Sequence, residues 1–124
     1  MSWHDNREAN YEIYFTRMND TGGEMGADQQ ITNVSGSSYD SSLVFTGSEF
    51  IVAWHDDMTG DSEIYLARID LAGNKTSDDL RITNEYDFSG DASLVWTGSQ
   101  FGLSWTDERT DNPEIFFNVI DYCD

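Results

Sequence analysis

The feature that most constrains this chain is a 51-residue repeat that runs through it without a gap. Trp3, Trp54 and Trp105 stand 51 apart, as do Asp5, Asp56 and Asp107, and Glu12, Glu63 and Glu114. Ile31-Thr32-Asn33 returns as Ile82-Thr83-Asn84, and Asp40 with Ser42-Leu43-Val44 returns as Asp91 with Ser93-Leu94-Val95. A fixed period of this length marks one supersecondary unit used several times, whose apolar surface is buried by its neighbours. The 124 residues divide into a partial copy over 1–39, a full copy over 40–90 and a partial copy over 91–124, within one domain.

Inside a copy the pattern is β. The full copy predicts strand one over Ser42 to Thr46, strand two over Phe50 to His55, strand three over Glu63 to Asp70 and a short strand four over Leu80 to Thr83. Phe50, Val52 and Trp54 alternate onto one face of strand two. Ile64 and Leu66 take one face of strand three, and Tyr65 and Ala67 take the other. No stretch sustains a 3.6-residue period, so helix is not expected. Pro113 falls in a turn ahead of a strand, where a missing N–H does no harm. Four antiparallel strands per 51 residues predict an all-β chain of β-propeller blades, about 2.5 of them, with ten strands. A β-sandwich or prism is the alternative. Apolar residues on both faces of strands two and three favour blades, which are packed on both sides.

These residues carry a family likeness. In order they are Gly60, Glu63-Ile64-Tyr65-Leu66, Asp70, Gly73, Arg81-Ile82-Thr83-Asn84, Asp91, Gly98, Phe101 and Trp105. The pattern resembles the TolB-type (WD-like) β-propeller repeat of bacterial proteins and extends over nearly the whole chain. The likeness implies a propeller fold and a role as an interaction scaffold, or as a domain beside an enzyme.

Twenty-four acidic residues against six basic ones give a net charge of −18. Such a surface repels nucleic acid and anionic lipid, so neither is an expected partner. Salt relieves its self-repulsion, the Debye length falling to ~3 Å at 1 M. An acidic, lysine-poor surface suits an extracellular or saline setting, although no signal segment is read at the start. No apolar run approaches the ~20 residues of a membrane-spanning helix, so membrane insertion is not expected. Cys123 is the only cysteine, which excludes an intrachain disulfide and leaves a thiol able to link two chains.

The copies at both ends are incomplete: the first begins inside strand two and the third stops after strand three. Two and a half blades leave apolar faces and unpaired edges in water. Self-association is the expected remedy, either as a dimer closing a ring of about five blades or a looser six, or as a head-to-tail polymer. A piece of a longer propeller is the third reading.

Candidate chemistry is confined to carboxylates. The turn between strands two and three holds Asp56, Asp57, Asp61 and Glu63, a density of oxygen that suits Ca²⁺, although the spacing is not that of an EF-hand. The structural reading has the first Asp capping its turn and pairing with Arg7 or Arg109 two residues on. Asp40 and Asp91 lead into strand one, nearest a propeller axis, where they would ring a channel mouth and attract a cation. His4 and His55 repeat but Thr106 replaces them, and no second ligand lies at zinc spacing. Trp3, Trp54, Trp96 and Trp105 fit either core packing or stacking on sugars, so a lectin-like, calcium-dependent glycan binder is the alternative function. No nucleophile–base pair or phosphate loop is present, and near-identical copies argue against an active site. The expected role is a non-enzymatic structural or binding scaffold.

Overall fold

A computed structural model describes residues 1–121; Cys123 lies outside them. Ten strands and no helix occur among the described residues. They form three antiparallel sheets. The first sheet holds β1 (Ser2–Asp5), β2 (Glu12–Phe15) and β3 (Gln29–Gln30). The middle sheet holds β4 (Ser38–Phe45), β5 (Phe50–Asp56), β6 (Glu63–Ile69) and β7 (Leu80–Arg81). The third holds β8 (Ser89–Trp96), β9 (Gln100–Asp107) and β10 (Glu114–Asp121).

Positions 51 apart take the same register. Trp3 pairs with Tyr14, Trp54 with Tyr65 and Trp105 with Phe116, and the next pairs are His4–Ile13, His55–Ile64 and Thr106–Ile115. The core forms where the sheets stack. Ile13, Phe15 and Ile31 of the first sheet meet Val52, Trp54, Tyr65 and Ile69 of the middle one. On its other face, Ile51, Ala53, Ile64 and Leu66 meet Leu94, Phe101, Leu103 and Trp105 of the third. The middle sheet is therefore buried on both faces, which is why β5 and β6 read as almost continuous apolar runs.

β4 begins at Ser38, four residues ahead of the predicted start, and Asp40 lies within it rather than leading into it. The register shifts between Tyr39 and Ser42, and again between Gly90 and Ser93 in β8. Asp40 (φ 51°) and Asp91 (φ 52°) occupy the left-handed region inside these bulges, a conformation that Asp tolerates better than most residues. The bulge interrupts the two-residue alternation and so hides the start of the strand.

A buried latch explains the Glu-Ile and Ile-Thr-Asn motifs. The Thr83 hydroxyl donates to Glu63 and accepts the Ile64 N–H (2.8 Å). The Glu85 N–H (2.8 Å) and Arg81 Nη2 (2.7 Å) also donate to Glu63 Oε1. Glu12 and Thr32 repeat the arrangement in the first sheet. The latch holds the short fourth strand to the third where only two ladder pairs do so.

Candidate functional site

The outer face of the third sheet is apolar and uncovered by any described residue. Ile115, Phe117 and Val119 on β10 are 75%, 65% and 47% exposed, and Val95 on β8 lies beside them in the sheet at 55%. The matching residues of the middle sheet, Ile64 and Leu66, are 0% and 7% exposed because the third sheet covers them. The position matching Val119 is Arg68, which pairs with Glu49 (2.5 Å). At the uncovered face that charged pair is replaced by Val119 and Gln100. A contiguous exposed apolar row of this kind is the candidate interaction surface among the described residues.

Across the sheets runs a histidine–aspartate ladder. The Asp40 N–H donates to His4 Nδ1 (3.1 Å), and the Asp91 N–H donates to His55 Nδ1 (3.4 Å). Each bulge thus presents its backbone N–H to the histidine of the preceding sheet. Ligand atoms of Asp40, His55 and Asp91 lie within 4.8 Å of one another. The two aspartates proposed to attract a cation are brought together, with a histidine between them. Local spacing did not reveal this grouping, because its three members come from three strands in two sheets. Burial lowers the His55 pKa below the ordinary 6.5, against the pull of Asp40 and Asp91. The neutral ring is therefore favoured, as an acceptor at Nδ1 requires.

This arrangement fixes the sign of a pH effect. A base whose folded pKa is depressed contributes stability above its unfolded pKa and loses it as pH falls through the folded value. Asp40, Asp91 and Asp56 face His55 as acids and His4 as a base. Wild-type melting temperature should therefore begin to fall as pH drops below about 6.5, the ordinary His value. In His55→Asn, whose side-chain carbonyl can accept the Asp91 N–H without titrating, that segment of the curve should be flat. Parallel curves for the two proteins would remove the ladder from the stability account.

The acidic turn is divided by the fold. Asp56 and Glu63 are cross-strand partners and both are buried. Asp56 accepts the Ser38 hydroxyl (2.7 Å) and the Met58 N–H (2.7 Å), and burial raises its pKa. Asp57 and Asp61 are exposed and line a cleft of about 350 Å³ with Tyr39, His55, Ser62 and Phe88. The turn aspartates of the other two copies have arginine partners: Arg7 on Asp5 (2.7 Å) and Arg109 on Asp107 (2.5 Å). The side-chain and backbone hydrogen bonds from Arg7 lower the Asp5 pKa to about 2. Those from Arg109 lower that of Asp107 well below the ordinary range. Trp54 and Trp105 are buried, as core packing requires.

Comparison with family models finds no match, and comparison with curated proteins finds none.

Proposed function

We propose that this chain is a non-enzymatic β-propeller module, of the TolB type its motifs resemble, that associates with copies of itself to form a structural or binding scaffold. The observation that carries this reading is the uncovered row of Ile115, Phe117 and Val119, at positions that are buried or charge-paired in the middle sheet. Three stacked antiparallel sheets with common registers support the propeller reading. The cleft beside His55, with aromatic walls and acidic rims, is the surface such a scaffold would present to a ligand such as a glycan.

Light scattering tests the association. A species heavier than one chain is expected, and its share should rise with added NaCl as the repulsion between chains of charge −18 is screened. A chain that stays monomeric at every salt concentration while melting cooperatively would overturn the reading.

A further inference from the structure

We infer that the uncovered face of the third sheet is built to receive the free face of the first sheet of a second copy, so that two chains close a ring of six sheets. This inference rests on the self-association proposed above and specifies which surfaces meet.

The interfaces within the chain set the precedent. The face of the first sheet bearing Ile13 and Phe15 packs on the Trp54 face of the middle sheet. The face of the middle sheet bearing Ile64 and Leu66 packs on the Trp105 face of the third. Continuing the series, the Ile115–Phe117 face calls for another Trp-bearing face. Among the described residues one such face has no sheet packed on it, that of the first sheet, where Arg7 lies over the Tyr14 ring at 4.2 Å and Tyr14 is 4% exposed. It carries Met1 and Trp3 at the positions of Val52 and Trp54, and Tyr14 and Met18 at those of Tyr65 and Ile69. Val52 and Ile69 are fully buried, whereas Met1 and Met18 are 54% and 40% exposed. The outer face of the third sheet is apolar, the first-sheet face offers exposed Met1 and Met18 beside the Arg7–Tyr14 stack, and the two correspond to the two sides of an interface the chain makes twice.

The substitutions in the third copy point to the same occupant. His4 and His55 each accept the N–H of an aspartate in the bulged first strand of the following sheet. Thr106 stands at this position on the uncovered face. A following sheet with a bulged first strand would present an aspartate N–H here and would need the histidine. The first sheet of the chain has no such strand among the described residues, so an occupant of that type makes no demand for one. Each end sheet already holds its own second and third strands, so the two stack and do not fuse. Two chains therefore bring six sheets, not five, within the typical range of four to eight for a closed propeller.

The test uses Phe117→Lys on the outer face and Met18→Lys on the free face of the first sheet. Both side chains are exposed within a chain, so each variant should fold, which far-UV circular dichroism checks; Val119→Lys provides a second outer-face variant. Added lysine reduces the net negative charge, so a general charge effect would promote association. Light scattering of the wild type should give two chains per particle. Each variant alone should associate roughly tenfold or more weakly, as for a central interface anchor. An equimolar mixture of the two should regain two-chain particles, because one wild-type interface survives in the mixed pair.

A wild type that associates, with Met18→Lys pairing normally while Phe117→Lys does not, would overturn the pairing of unlike faces and leave self-association standing. Particles of more than two chains would overturn the closed ring. A monomeric wild type would overturn the self-association on which the inference rests.

Discussion

Replacing Glu63 with alanine is expected to destabilise the fold by about 2–5 kcal/mol, since it leaves two buried donors unsatisfied at about 1–3 kcal/mol each. The carboxylate is fully buried and accepts hydrogen bonds from the Thr83 hydroxyl, the Glu85 N–H and Arg81. Its removal strands the Thr83 hydroxyl and the Glu85 N–H around a cavity, while the exposed Arg81 guanidinium keeps its bond to the Thr83 carbonyl (2.8 Å) and turns to water. β7 is then held to β6 by the ladder pairs Tyr65–Arg81 and Leu66–Leu80. Glu63→Gln keeps a carbonyl acceptor and the volume, so its loss should be smaller, about 1–3 kcal/mol. Urea melts run with calcium and with chelator separate this latch from a metal ligand. The latch predicts the same loss in both. A wild-type midpoint that rises with calcium, in a manner the variant lacks, would make Glu63 a ligand. A loss under about 1 kcal/mol would sink the latch.

The second large effect is expected at Trp54. Trp54→Ala should cost about 3–5 kcal/mol, as large aromatic truncations in a core do. The side chain is 1% exposed, stacks on Tyr65 with ring centroids 6.2 Å apart, and belongs to the cluster joining the first and middle sheets. Trp3 makes the matching stack on Tyr14 at 6.0 Å, but it is only half-buried, on a face that Arg7 partly covers and no described sheet packs against. Trp3→Ala should therefore cost less than half as much in dilute protein, and the gap should narrow at concentrations where chains associate. Equal losses at all concentrations would mean that the first-sheet face is already as buried as the core.

Much of the fold was legible in the sequence because the repeat and the alternation carry independent information. The spacing of Trp3, Trp54 and Trp105 places the second strands, and the alternation in Phe50–Trp54 and Ile64–Ala67 assigns their faces. The Asp–Arg turn pairs were equally readable, since a local Asx-type turn needs only two residues of separation. The early starts of β4 and β8 were not readable, because bulges at Asp40 and Asp91 break the period on which strand recognition depends. The Glu63 latch joins residues about twenty apart on adjacent strands. The ladder joins Asp40, His55 and Asp91 from separate strands, so a search for ligands at short spacing passes over it. Both are visible only once the sheets are stacked. The change from Arg68 to Val119 was readable as a departure between copies. Its meaning depends on the third sheet having one face covered and one open.

The claim that these sheets complete themselves with a second copy is tested most directly by the mass of the wild-type chain in solution. At micromolar concentration in moderate salt, light scattering should give twice the 14.1 kDa of one chain, and dilution should lower both the mass and the melting temperature together. A stable particle of 14.1 kDa, with a melting temperature independent of concentration, would contradict it.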